Sequence, residues 1–376
     1  MRLMVTGATG YVGSRLVDAL LASDNEVVVA SRSPKRLSRY GWSDDVTAVE
    51  MDVDDADSVH AAIEAASPDE HPVDALYYLV HGIGQADFAD GDRAAARAVA
   101  QAARSRGIPR IIYLGGFVPD GDEMSAHLQS RADVGEGLAI DGGAELVWLR
   151  AAVILGAGST SFEILRYLAD RFPVIPEPGW IDNPMDPISI RDVIHYLVAA
   201  ADPSLPAGSY DIAGPDTGVY RSILDEYLRA VRMPRLRVRV PSISTRLAGK
   251  VGGIITPAPA ALTEELVTSL QYPMRASEHR ITEFVSPPTG GLTTMRDAIR
   301  ASVDSPYPRP VSELDDLHHL ADTDPDWAGG DLLRARRAAL GAVVGVIGTV
   351  AGVTLVARRV LGQFLPLCRP PPCPGR

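Results

Sequence analysis

The stretch Thr6-Gly7-Ala8-Thr9-Gly10-Tyr11-Val12-Gly13 constrains the fold more than any other part of the chain. The apolar run Leu3 to Val5 before it reads as a buried parallel strand, and the spacing of Leu16, Val17, Leu20 and Leu21 predicts a helix beginning after Gly13. Strand, glycine turn and helix follow one another, and each glycine has a task. Gly7 makes the tight turn, Gly10 lets the backbone approach a pyrophosphate, and Gly13 lets helix and strand pack closely. The helix N-terminus adds unpaired N–H groups and the positive end of its dipole. A dinucleotide site is therefore expected at Gly7, Thr9, Gly10, Tyr11, Val12 and Gly13.

Strand and helix patterns keep alternating downstream. Glu26 to Ser31 reads as a second strand, Val46 to Val53 as a third, Ala56 to Ala66 as a helix and Ala75 to Val80 as a fourth strand. An alanine-rich helix over Asp87 to Ser105 and a fifth strand over Arg110 to Gly116 complete a βαβαβαβαβ order, which implies a parallel sheet covered by helices on both faces. Where an Asp or Glu would bind the ribose 2′-OH of NAD, this chain has Ser31, Arg32 and Lys35. A guanidinium suits a 2′-phosphate, so NADP(H) is expected over NAD(H). Asp52, followed by Val53, stands where a carboxylate could accept from an adenine amino group, and His81 opens a flexible turn where the nicotinamide half would lie.

The net charge of −12 argues against nucleic acid as the main partner, because phosphate neutralisation needs a basic surface. The two cysteines, Cys368 and Cys373, sit at the end of the chain, so no disulfide framework holds the core and a reducing compartment is expected. With the first strand starting at about residue 2, no signal peptide is expected. Metal-ligand spacing and a nucleophile elbow are both missing from the sequence.

The glycine motif, the Asp52-Val53 pair, Leu149-Arg150 before an apolar run, Pro187-Ile-Ser-Ile-Arg-Asp-Val193 and Tyr210-Asp-Ile-Ala-Gly-Pro215 together resemble an extended or atypical short-chain dehydrogenase/reductase. Within that superfamily the chain is similar to the NAD(P)H-binding, NmrA-like group related to the nucleotide-binding accessory subunit of respiratory complex I. The likeness spans about residues 1 to 300 and implies a doubly wound Rossmann sheet with a smaller C-terminal lobe. It also implies a catalytic Tyr-x-x-x-Lys on the helix after strand five and a serine at the end of that strand. This sequence departs from both. His127-Leu-Gln-Ser-Arg131 occupies the first position, and Gly115-Gly116 stands where the serine would be. His127 is the candidate proton carrier, with Arg131 one helical turn away on the same face. Arg⁺ beside it favours the neutral base.

In extended members of the family the following part of the chain lines the substrate pocket, so Arg150, Ser159, Ser161 and Phe162 are candidates to touch ligand. A helix N-cap at Ser159 or Ser161, with Phe162 packed inward, is an equal alternative. The proline-rich run Phe172 to Trp180 reads as a rigid loop over the pocket. Two apolar stretches, 243–255 and 260–270, could form a cap over the pocket, a surface resting on lipid, or core, with core the default.

The expected organisation is a nucleotide domain over 1–205, a small lobe over 206–305 with contributions from 150–195, an acidic linker over 306–335, a transmembrane helix over 338–357 and a tail over 358–376. The linker rests on Glu313, Asp315, Asp316, Asp322, Asp324 and Asp326 without apolar periodicity. The transmembrane helix rests on twenty uncharged residues between arginine pairs, about 30 Å of helix. Gly341 with Gly345, and Gly348 with Gly352, could pack two such helices. A membrane location with a cytoplasmic nucleotide domain follows from that reading. The expected function is a membrane-anchored NAD(P)(H)-binding oxidoreductase acting on a hydrophobic carbonyl, quinone or lipid-like substrate. The alternative is a non-catalytic redox sensor or assembly factor for a membrane complex.

Overall fold

The structure, a computed structural model, describes residues 1–81, 88–118, 125–240, 244–305, 307–331 and 335. Met1–Gly330 forms one compact unit, and Asp331–Arg376 is a second, of which only Asp331 and Ala335 are described.

The elements run β1 (Arg2–Thr6), α1 (Tyr11–Leu21), β2 (Glu26–Ser31), β3 (Thr47–Glu50), α2 (Ala56–Ala66), β4 (Ala75–Tyr78), α3 (Phe88–Ser105), β5 (Arg110–Gly116), α4 (Ala126–Leu138) and β6 (Glu145–Ala151). After them come β7 (Ile154–Leu155), α5 (Thr160–Arg171), β8 (Val174–Pro178), β9 (Pro184–Met185), β10 (Ile188–Ser189), α6 (Ile190–Ala199) and β11 (Gly208–Asp211). The described chain closes with β12 (Gly218–Val219), α7 (Tyr220–Val231), β13 (Leu236–Val240), α8 (Thr245–Ile255), α9 (Ala260–Ser269) and α10 (Met295–Asp304).

Among the described residues seven strands make one parallel sheet in the order β11-β6-β5-β4-β1-β2-β3. The order reverses between β1 and β4, and this switch point is where a ligand crevice opens at the carboxyl ends of the strands. The strands read as continuous apolar runs because both faces are covered. On one face Leu3, Val5 and Val29 pack with Leu16 and Leu20 of α1 and Val193 and Leu197 of α6. On the other, Met4, Val28 and Leu76 pack with Ile63 of α2, Val99 of α3 and Val134 of α4. The doubly wound α/β architecture is as the sequence alternation implied.

Several expectations are corrected. The membrane helix over 338–357 is withdrawn: no helix among the described residues is long and apolar enough to cross a membrane, and 338–357, with Gly341, Gly345, Gly348 and Gly352, lies outside them. Helix α1 starts at Tyr11, so Gly13 sits inside its first turn and not before it. The Phe172 to Trp180 run contains strand β8, paired in parallel with β13. Its prolines are tolerated because, among the described residues, the two-stranded pair has no further neighbour to demand their missing N–H donors. Strand β11, in the part read as the small lobe, extends the main sheet beside β6.

The acidic stretch 307–330 is a folded strap and not a linker. Arg309 and Ala321 form a β-bridge, Leu320 and Ala328 are buried against Ala157, and Asp324 pairs with Arg15 inside the fold. His318 and Asp324 find partners on distant elements, which is why local periodicity is missing.

Candidate functional site

The glycine turn is set by its neighbours. Thr6 Oγ1 donates to the Tyr77 carbonyl at 3.0 Å and accepts from the Leu79 N–H, stitching the end of β1 to β4. Gly7 then turns with φ +72°, and a Cβ there would lie 2.5 Å from the Leu79 carbonyl oxygen. A Cβ at Gly13 would lie 2.2 Å from the Gly7 carbonyl oxygen. The turn therefore closes only with hydrogen at both positions, leaving the backbone N–H groups at the start of α1 facing outward as an anion cradle.

Two aromatic residues that the sequence reading missed prop this turn. Tyr40 Oη donates to the Thr9 carbonyl at 2.9 Å, and Trp42 Nε1 donates to the Ser14 carbonyl at 3.1 Å. Their rings stack 4.8 Å apart. The signal was a Tyr-Gly-Trp cluster soon after β2, two large aromatic residues in a stretch without other apolar patterning. From the other side, Arg15 stacks over the Tyr11 ring at 4.1 Å. Tyr11 Oη is buried without a hydrogen-bond partner among the described residues, beside the cradle.

From the cradle a cavity of about 630 Å³ runs into the second lobe, a volume in the range of small-molecule and cofactor sites. It brings together Gly7, Gly10, Tyr11, Val12, Gly13 and His81 with His127 and Arg131 of α4 and Ser159 and Phe162 at the start of α5. Its far walls come from α5, β8, α7, α8 and α9, through residues such as Leu168, Ile175, Leu224, Val251 and Leu266. The stretches 243–255 and 260–270, with core as the default reading, thus contribute the cap, α8 against α9.

Of the remaining expected residues, Ser161 also lines the cavity. Thr9 is exposed and contributes its carbonyl to Tyr40. Arg32 is exposed just past the end of β2, without a partner among the described residues, and Asp52 and Val53 lie half-buried just beyond β3. None of the four lines this cavity. Arg150 does not line the cavity, and its Nε lies 2.7 Å from Asp211 Oδ1, a buried carboxylate on β11. That pairing was invisible in the sequence because β11 was placed in another domain. Ser159 donates to the Ile154 carbonyl at 2.7 Å and makes no side-chain cap to α5. Phe162 is fully buried and meets Tyr227 edge-on, so the inward-packing reading holds while its ring still forms cavity wall.

The proton inventory of the cavity is unusual for a dehydrogenase site. Burial, reinforced by the Arg131 charge, pushes the His127 pKa down to about 3. Arg131 Nε donates to His127 Nε2 at 3.3 Å, so the ring is neutral and its remaining proton sits on Nδ1. Burial likewise drives His81 well below its usual value, with Arg131 and His127 adding to the shift. Tyr11 and Tyr113 are pushed up by burial and stay protonated. His127 is therefore held neutral, with an N–H at Nδ1 and little basicity.

The missing serine has a structural counterpart. A Cβ at Gly115 would fall 2.4 Å from Trp148 Nε1, and one at Gly135 would fall 2.7 Å from the same indole ring. Trp148 fills the space that both glycines leave, packed against Tyr113 at 5.8 Å. Gly116 is less crowded, with Arg131 Cδ 3.3 Å from its Cβ position.

One further constellation has the geometry of a hydrolase triad. Ser189 Oγ and His318 Nε2 are 2.8 Å apart, and His318 Nδ1 and Asp316 Oδ1 are 2.6 Å apart. Ser189 and His318 are buried, neither lines the cavity, and the Ser189 oxygen also caps α6 by accepting from the Arg191 N–H. It is a clasp between strap and domain.

Comparison with known proteins agrees with this geometry. The family model for NAD(P)H-binding domains matches residues 7–145. Uncharacterized proteins of Mycobacterium bovis and Mycobacterium tuberculosis are 27% identical over 226 residues, which cover 59% of this chain and 23% of theirs. The chain thus aligns with about a quarter of their length. Among solved structures, a nucleoside-diphosphate-sugar epimerase of Staphylococcus aureus superposes with a TM-score of 0.62 at 15% identity, covering 80% of this chain and 100% of that one. An NADPH-dependent quinone oxidoreductase of Escherichia coli gives 0.60 at 14%, covering 79% and 98%. The Bordetella bronchiseptica enzyme WbmH, in complex with NAD⁺, gives 0.58 at 16%, covering 80% and 96%. These likenesses establish the fold. Residues 7–145 match the family model for NAD(P)H-binding domains, and the fold they belong to is Rossmann-like.

Proposed function

We propose that this chain is an NADP(H)-preferring oxidoreductase acting on a hydrophobic substrate held in the second lobe. The observation that carries it is the continuity of one cavity from the glycine cradle at Gly7, Gly10 and Gly13 to the apolar walls of α5, α8 and α9. The cradle suits a pyrophosphate, and the nicotinamide ring, when bound, supplies or accepts a hydride at its C4. The chain's own residues do the rest. The apolar walls bind the substrate body and exclude water, and the His127 Nδ1–H orients a carbonyl oxygen. Arg131 holds His127 in the tautomer that can donate from Nδ1. Exposed Arg32 beyond β2, in place of the usual ribose-binding carboxylate, supports preference for a 2′-phosphate.

A nucleotide sugar fits less well, since among the described cavity residues Arg131 is the one permanent cation available to a substrate diphosphate. The second reading is a nucleotide-binding redox sensor or assembly factor for a partner complex. What favours it is the absence, among the described cavity residues, of a group poised to give up a proton near neutral pH. The test is to titrate the full chain with NADPH and NADH and to follow NADPH oxidation with quinones and hydrophobic carbonyl compounds. Tight NADPH binding with turnover on one of these supports the oxidoreductase. Slowly exchanging nucleotide without turnover supports the sensor.

A further inference from the structure

The end of the cavity near the glycine cradle is rich in donors. Among the described residues that line it none is Asp or Glu. Arg131 is half-buried on the cavity wall, and desolvation lowers its pKa, yet a guanidinium stays charged at neutral pH. Its Nε is committed to the neutral ring of His127, and its terminal nitrogens make no hydrogen bond and no ion pair with the described residues. The charge of Asp92 acts favourably on it, and Asp92 accepts from Ser130 Oγ at 3.2 Å. A charge held this way among apolar side chains is costly unless an opposite charge meets it. His127 cannot share the charge, and a neutral carbonyl would return one hydrogen bond only. The planar fork of a guanidinium matches the two oxygens of a carboxylate.

We propose that the cavity takes an apolar molecule ending in a carboxylate, and that Arg131 selects this head by pairing with it while the walls of α5, α8 and α9 hold the body. This rests on the reading of the cavity as a substrate pocket and narrows the substrate to an apolar-bodied acid. Arg131 is then a specificity residue, and His127 presents its Nδ1–H beside the same head.

The probes are decanoate and decan-1-ol, which share a body and differ in the head. Each is titrated calorimetrically into the full chain at pH 7.5, with and without NADPH, for the wild type, Arg131→Met and Arg131→Lys. The expected result is that the wild type binds decanoate about tenfold or more tightly than decanol, as charge-assisted pairing predicts. Arg131→Met should lose that preference while binding decanol as before, and Arg131→Lys should keep part of it. Equal affinity of the wild type for both probes overturns the proposal and leaves the apolar pocket standing. Binding of neither probe overturns the pocket reading as well. Weaker NADPH binding by Arg131→Met with its decanoate preference intact assigns the guanidinium to the cofactor and also overturns it. Should Arg131→Met fail to fold in a thermal melt, the wild-type comparison and Arg131→Lys still decide.

Discussion

Arg15 and Asp324, 309 positions apart, meet in a buried two-pronged ion pair with N···O distances of 3.0 and 2.8 Å. The arginine belongs to the helix that carries the glycine turn, and the aspartate to the strap that follows α10. The same guanidinium also donates to the Leu317 and His319 carbonyls, so one side chain fastens the strap at three places.

Breaking that pair leaves an uncompensated buried charge. Asp324→Ala is expected to destabilise the fold by about 3–5 kcal/mol. Urea unfolding of both chains, followed by circular dichroism, measures it. A loss under about 1 kcal/mol would mean that the strap is held elsewhere.

The glycine turn gives a binding prediction separable from stability. Gly13→Ala places a methyl 2.2 Å from the Gly7 carbonyl oxygen and must open the turn. NADPH affinity should fall by about tenfold or more, with far-ultraviolet dichroism nearly unchanged. Fluorescence titration reads the affinity, and an unchanged constant would place the pyrophosphate elsewhere.

His127 makes stability depend on acid. Its folded pKa of about 3 lies below the unfolded value near 6.5, so the unfolded chain takes up the proton first as pH falls. The stabilisation is fully present above about pH 6.5 and is lost on the way down to about pH 3, at up to about 1.4 kcal/mol per pH unit. His127→Gln should flatten that slope. Denaturation midpoints at several pH values in both chains test it, and parallel slopes would show that the ring is not held neutral. Asp316, whose pKa its hydrogen bond with His318 holds at about 2, acts in the same direction at the acid end and cancels in the comparison.

Cofactor choice is tested at Arg32. Arg32→Ala should weaken NADPH binding by about tenfold while leaving NADH binding within about twofold, if the guanidinium meets the 2′-phosphate. Equal effects on both cofactors would make it a solvated surface charge.

The sequence was informative where structure is local. Ala56 to Ala66 and Arg110 to Gly116 were bounded correctly from periodicity, and the glycine spacing located the cradle. The i, i+4 relation placed His127 and Arg131 together. What stayed hidden depends on partners far along the chain. Arg150 looked like a pocket residue until Asp211 turned out to be its neighbour across β6 and β11. The strap looked solvated because Asp324 and His318 satisfy themselves on Arg15 and Ser189. The start of α1 at Tyr11 was misjudged because glycine at 13 suggested turn, whereas that glycine is there for the closeness of the Gly7 carbonyl.

The indole of Trp148, seated over Gly115 and Gly135, works as a historical ratchet. A serine at 115 collides with it, so hydroxyl-assisted chemistry cannot return at that position by one exchange. Position 148 must shrink before position 115 can grow. The intermediate, with a small residue at 148 and glycine still at 115, would carry a void beside Tyr113 of the kind that costs about 3–5 kcal/mol. A single exchange at 115 therefore cannot install the hydroxyl without a cost in stability.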